Sequence, residues 1–204
     1  MIEKNETNNT TSIKAAYEAD GATSTSYKYF YWGMYGKDVS GITNYSQVGG
    51  GGESTGFLPR PDGTYKSTPH LSTDYTTWTS GALSDFSGKA NTAALMEVED
   101  TDSYTDYANM ATWCKIFNET PSENQGFNDW YIPACGQLAL IHLNAAAINE
   151  ALTKIGGMAF DTSHVLSSSE CSSYNGFRVQ VTSGSVDYNS KKGNYNRVRF
   201  VRDI

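Results

Sequence analysis

Near its C-terminal end the chain places apolar side chains at every second position, Phe177, Val179 and Val181, with Arg178, Gln180 and Thr182 between them. A period of two is that of a half-buried strand, so the first set is predicted to face a core and the second to face outward. Ser183-Gly184 follows as a hairpin turn signal. Earlier in the chain the apolar spacing changes to steps of three and four. Over residues 104–118, Tyr107, Met110, Ala111, Cys114 and Phe117 fall on one helical face. A second helix is predicted to open after Pro133, to carry Leu138, Ile141, Ala145, Ile148, Leu152 and Ile155, and to stop at Gly156-Gly157. Between the helices, residues 126–133 read as a turn running into a short aromatic strand, and the aromatic run 27–35, closed by Gly36 and Gly41, as a central strand. Pro59, Pro61-Asp62-Gly63 and Pro69 mark an irregular stretch reaching about residue 85. These elements predict an α+β protein, two helices packed on antiparallel sheets with long irregular loops. Residues 1–26, polar and without periodicity, are expected to be a flexible arm ahead of one domain over 27–204.

Composition narrows the chemistry. A chain of 204 residues buries roughly 70% of its unfolded surface and needs no stapling. Its formal charge of -7 argues against a nucleic-acid partner, which requires a basic patch. Cys114, Cys135 and Cys171 are odd in number and form no CxxC, so free and mostly buried thiols are expected. No secretion signal or membrane span is legible. Fourteen tyrosines and nineteen glycines suggest a loop-rich, aromatic-rich surface.

The chemical motifs favour plain readings. Gly49 to Gly52 lack the Gly-Lys-Ser/Thr ending of a phosphate loop and read as a flexible loop. His70, His142 and His164 are far apart, with no partner at metal-ligand spacing, and His142 is expected to be half exposed beside the helix stripe. Glu97, Glu99, Asp100 and Asp102 read as a solvated acidic turn rather than a calcium loop. Ser167-Ser168-Ser169-Glu170 lacks a nucleophile elbow and reads as a polar turn in which Glu170 accepts hydrogen bonds. Neither cofactor nor metal is expected, and the protein is expected not to be an enzyme.

From about Phe86 onward the chain resembles a widespread bacterial and phage family with a C-type-lectin-like fold, the DUF1566 type. The resemblance is carried by Ser87-Gly88-Lys89-Ala90-Asn91-Thr92-Ala93, Asp129-Trp130-Tyr131-Ile132-Pro133, Ala145 to Leu152, Ser167-Ser168-Ser169-Glu170 and Val198-Arg199-Phe200-Val201-Arg202, in that order. Leu166 departs from the aromatic the family usually has before its serines. The Glu-Pro-Asn loop of calcium-dependent lectins is absent, and Cys171 lacks the partner that the related formylglycine-generating enzymes need.

Within that fold the chain is similar to the variable proteins of diversity-generating retroelements, whose C-terminal segment is rewritten at adenines so that AAY codons become NNY. The resemblance implies a ligand-binding, variable region over 166–204. Cys171, Ser173, Tyr174, Asn175, Arg178, Ser185, Asp187, Tyr188, Asn194, Tyr195 and Asn196 are all permitted NNY outcomes, whereas Gln180, Lys191 and Lys192 are not and would be fixed. The expected site is Ser173, Tyr174, Asn175, Arg178, Ser185, Asp187, Tyr188, Asn194, Tyr195 and Asn196, with tyrosine anchors and polar side chains setting specificity. The implied function is receptor binding from a phage virion or cell surface, with a protein or glycan receptor as partner, no nucleic acid, no membrane insertion, and homo-oligomers compatible with the role. The alternative is a fixed structural or adhesive module of a tail fibre or cell envelope.

Overall fold

Strand β4, Val165–Glu170, is the centre of the fold, and all six of its residues are buried. Its burial follows from having neighbours on both sides, as a computed structural model describing residues 30–33, 35–48, 56–57, 74–98, 108–121, 124, 126–192 and 196–203 makes plain. On one side it pairs antiparallel with β5, Asn175–Gln180, matching Val165 to Val179 and Leu166 to Arg178. On the other, Leu166 N donates to Arg197 O at 2.8 Å and Ser168 N to Pro133 O at 2.9 Å. β5 pairs antiparallel with β6, Ser185–Ser190, and β6 with β2, Gly56–Phe57, giving the order β2-β6-β5-β4. A separate short parallel pair joins β1, Phe30–Tyr31, to β3, Ala108–Asn109. The protein is α+β.

The predicted alternation along β5 is observed: Phe177 and Val179, with Val181 in the turn beyond, are fully buried. They join Val165, Val186, Cys135, Leu138, Ala139 and Leu152 in one core cluster. Leu166, one residue along from Val165, points to the opposite face and joins a second cluster with Trp32, Leu95, Met110, Trp113, Cys114 and Ile132. The sheet is therefore covered on both faces near β4. The β5–β6 turn is where the Ser183-Gly184 signal placed it, and Gly184 takes φ 74°, a left-handed value that favours glycine. His142 fills the space beside it, within 2.6 Å of where a Cβ would stand.

Four helices surround the sheet among the described residues. Helix α1, Gly88–Met96, was not legible in the apolar pattern because its buried face is Gly88, Asn91, Thr92 and Leu95, with a single large apolar residue. Helix α2, Met110–Glu119, follows the predicted stripe through Met110, Cys114 and Phe117 and is capped by Asn109, whose side chain accepts from Ala111 N at 2.8 Å. Tyr107, assigned to the same stripe, lies outside the described residues. The single helix predicted after Pro133 is two helices, α3, Cys135–Leu143, and α4, Ala145–Lys154. Asn144 separates them at φ −110°, ψ 10°, its side chain donating to Leu140 O at 2.9 Å. An asparagine that bonds local backbone competes with helix continuation. The Gly156 stop holds, with φ 73° and Gly157 N donating to Leu152 O at 2.7 Å.

Other expectations are corrected. His142 is 5% exposed rather than half exposed, and its Nδ1 lies 2.6 Å from Val181 O. Of the run 27–35, Phe30–Tyr31 is a strand among the described residues, and it pairs with β3 in a sheet separate from β4, so the predicted central strand lies outside the main sheet, whose most buried strand is β4. The arm 1–26, the glycine run 49–52 and Glu99, Asp100 and Asp102 lie outside the described residues. No described helix is long and apolar enough to cross a membrane.

Candidate ligand-binding site

Side chains of the C-terminal hairpin reach the surface in three places, each set by strand geometry. The first is the tight β4–β5 turn. Asn175 N donates to Ser172 O at 3.2 Å and Cys171 N to Asn175 O at 3.0 Å, which turns the chain and leaves Tyr174 52% exposed. Ser173 and Asn175 flank it, partly exposed, and Asn175 Nδ2 reaches Ser172 Oγ at 3.4 Å.

The second is the face of β5 and β6 that carries Arg178 and Asp187. These residues are directly opposed, and Arg178 Nη2 bonds Asp187 Oδ2 at 2.9 Å while its Nη1 donates to Asn196 Oδ1 at 3.1 Å. Asn196 is fully buried, so it supports Arg178 instead of meeting a ligand directly. Nearby, burial holds His164 below the usual imidazole range; the Arg178 charge pushes it further down and Asp187 partly opposes both. Ser185 lies at the turn end of β6, opposite Gln180.

The third place is Tyr188, which pairs with Phe177 and therefore points to the same side of the sheet as that core residue, opposite to Asp187. At 37% exposed it sits at the margin of the core. The ten expected site residues thus do not make one patch. Tyr174 lies on a turn, Arg178 and Asp187 share one sheet face, and Tyr188 occupies the other. Asn194 and Tyr195 lie outside the described residues.

Beneath the Tyr174 turn sits a buried ion pair. Glu170 ends β4 and Lys191 follows β6; both side chains are fully buried, and Lys191 Nζ donates to Glu170 Oε1. Lys191 Nζ also donates to Lys37 O at 2.7 Å and lies 4.7 Å from the Trp32 ring centroid, while Val39 N donates to Glu170 Oε1 at 3.3 Å. Burial pushes the Glu170 carboxyl up and the Lys191 ammonium down from their ordinary ranges; each partner opposes the shift in the other. Glu170 is therefore a fixed strut between strand, turn and segment 32–45 instead of a member of a polar turn. Lys191, one of the residues an NNY codon cannot encode, is part of the framework.

The serines before Glu170 are strand residues with committed hydroxyls. Ser167 Oγ donates to Phe177 O at 3.0 Å, and Ser169 Oγ donates to Asp85 Oδ2 at 2.7 Å while accepting from Cys135 N at 2.8 Å. Asn91 Nδ2 reaches the same Asp85 oxygen at 2.9 Å and Ser168 Oγ at 3.5 Å. The buried serines are held by this network, and Glu170 beside them by Lys191 and Val39 N through Oε1. The three cysteines are free and buried, and burial raises each thiol above its ordinary range. Among the described residues, no group of three or more His, Cys, Asp or Glu side chains could hold a metal ion.

Two surface residues were missed from sequence. Tyr35, 39% exposed, meets Tyr174 edge to face with ring centroids 5.2 Å apart. Lys192 Nζ stands 4.6 Å from the Tyr35 centroid. Tyr35 lay in a run that reads as a strand, and Lys192 was set aside as a fixed codon; only the fold brings them beside Tyr174. Comparison with models of known protein families, with curated protein sequences and with solved structures returned no match to this chain.

Proposed function

We propose that this protein binds a receptor through a surface displayed on a C-type-lectin-like scaffold, and that a retroelement exchanges part of that surface. The observation that carries the reading is the division of residues 166–204 into framework and display. Phe177, Val179, Val186 and Lys191 are buried, while Tyr174 and Tyr188 project from the same short hairpin. Tyrosines with short polar neighbours are the side chains of adaptable binding faces, since they offer contact area at low entropy cost. Covering the sheet on both faces makes the scaffold indifferent to what the turn displays. The mode is binding without turnover: the hydroxyls of Ser167 and Ser169 are held in structural hydrogen bonds and the thiols are shielded.

The test is the DNA flanking the gene. The reading predicts a nearby imperfect repeat of the codons for residues 166–204, differing mainly where the repeat carries adenine, together with a reverse transcriptase. A flanking region without either would leave a fixed adhesive or structural module as the better account.

A further inference from the structure

The face of the sheet that carries Arg178 is polar and half-buried where it runs beyond Leu166 and the second core cluster. Strand pairing decides which side chains share it. Arg178 opposes Asp187 and Gln180 opposes Ser185 across β5 and β6, and alternate residues of a strand point the same way. Val165 opposes Val179, so the same register carried one residue back sets His164 opposite Gln180. His164, Gln180, Arg178, Ser185 and Asp187 thus form a grid three strands wide and two positions deep, about 10 by 7 Å. That is the footprint of one pyranose ring with its hydroxyls. None of the five side chains is apolar, and all are half-buried.

We propose that this grid is a subsite for adjacent hydroxyls of a neutral hexose. This rests on the reading of the surface as a ligand-binding face. It joins three positions an NNY codon reaches, Arg178, Ser185 and Asp187, to Gln180, which no such codon encodes, and His164, which precedes the segment. Neither ring nitrogen of His164 nor the Ser185 hydroxyl has a hydrogen-bond partner among the described residues. Arg178 gives one N–H from each Nη, to Asn196 and to Asp187, and keeps the second on each; its Nε is buried without a partner among the described residues. The Asp187 side chain is 38% exposed, so the oxygen that accepts from Arg178 also faces solvent. Gln180 is fixed as part of the floor, donating to Thr162 O and accepting from Ser183 Oγ. A sugar diol uses this mixture. Its protons go to the carboxylate and to a neutral imidazole nitrogen, its oxygens take the guanidinium N–H groups, and bonds to charged partners are the stronger kind. Burial and the Arg178 charge keep His164 neutral at pH 7, so it can accept. The charges of Arg178 and Asp187 cancel, which favours neither an anion nor a cation. A protein partner would find no apolar centre here, the feature on which interface cores are built.

The experiment is an NMR titration of the ¹³C,¹⁵N-labelled full chain with the methyl glycosides of glucose, galactose and mannose, and with galacturonate and glucosamine as charged comparators. The expected result is saturable shifts with at least one neutral glycoside, at the His164 ring, the Arg178 Nε–H and the Ser185 and Asp187 amides, with Kd on the order of millimolar. Affinity should fall about tenfold in Asp187→Asn and severalfold in Ser185→Ala, and stay unchanged in Lys154→Gln on the exposed side of α4. It should also weaken as pH falls through the His164 midpoint, read from the same ring signals, because an imidazolium cannot accept and draws Asp187 to itself. Besides Arg178 on β5 and Asp187 on β6, the charged groups beside His164 among the described residues are Arg197, whose backbone N donates to His164 O at 2.9 Å, and Asp161, which pairs with Arg197 at 2.9 Å. Affinity constant across that midpoint would overturn the role of His164. Tighter binding of galacturonate or of glucosamine would overturn the choice of a neutral ligand. No shift at the grid with any of the five, in a folded protein, would remove the subsite. Should gene copies nonetheless vary at Tyr174 and Tyr188, the binding surface would stand and this subsite alone would fall.

Discussion

Lys191→Met is the substitution whose consequence follows most directly from the structure. The wild-type ammonium donates to Glu170 Oε1 and to Lys37 O and lies over the Trp32 ring, with no solvent exposure. Removing it leaves the Glu170 carboxyl buried with Val39 N as its remaining described partner, Oε2 having none among the described residues. Removing one member of a buried pair costs about 4 kcal/mol, because the surviving charge keeps its desolvation penalty. For a domain of this size that lowers Tm by roughly 8–16 °C. The double variant Glu170→Met/Lys191→Met removes both charges and should recover most of the loss, leaving about 1–2 kcal/mol for the Val39 N–H and Lys37 carbonyl. Urea unfolding of the two variants and the wild type at matched pH measures all three.

The same variant has a pH signature. A carboxyl whose folded pKa lies above its unfolded value holds its proton more tightly when folded, so that contribution is complete at low pH and disappears as pH rises through the folded value. Burial already raises Glu170 in the wild type, and without Lys191 the opposing effect is gone. The deficit of Lys191→Met should therefore be smaller at about pH 5 than at about pH 8. A deficit below about 1 kcal/mol, or a double variant as unstable as the single one, would refute this view of the pair as a buried strut.

Three further outcomes are expected. Gly176→Ala should cost about 3 kcal/mol by chemical denaturation, because its new methyl would collide with the Trp32 ring, whose Nε1 is held by Ser167 O at 2.8 Å. Tyr188→Ala should lose receptor binding yet cost no more than about 1 kcal/mol, the worth of a cross-strand aromatic pair with Phe177; a loss near 3 kcal/mol would place it in the core. His164 should titrate below its ordinary 6.5 by NMR, and Arg178→Gln should move the midpoint upward by removing the neighbouring positive charge and leaving Asp187. Since the depressed imidazole is neutral when folded, its stabilisation is present above 6.5 and is lost as pH falls through the folded value.

What the chain revealed in advance was what periodicity carries. The β5 alternation and the α2 stripe are dictated by large apolar residues at regular spacing, and both are in the structure. Helix α1 escaped because its buried face carries glycine, asparagine and threonine with Leu95 as its one large apolar residue, and Thr92 Oγ1 accepts from Ile132 N at 2.9 Å. Ser167 to Glu170 read as a turn because nothing local shows that Asp85, Cys135 and Lys191 will satisfy them. The candidate residues could be named from the sequence, but their arrangement could not. Asp187 and Tyr188 are adjacent in sequence and face opposite sides of a sheet, and Tyr35 reaches Tyr174 only through folding.

The central claim is that one hairpin carries a constant framework and an exchangeable display. Sequencing this gene across many isolates tests it most directly. The account predicts that substitutions gather at Ser173, Tyr174, Asn175, Ser185, Tyr188, Asn194 and Tyr195, that Arg178, Asp187 and Asn196 change together because they share one hydrogen-bonded network, and that Phe177, Val179, Val186, Glu170 and Lys191 stay constant. Substitutions spread evenly over buried and exposed positions, or a Tyr174 turn as constant as the core beneath it, would contradict it.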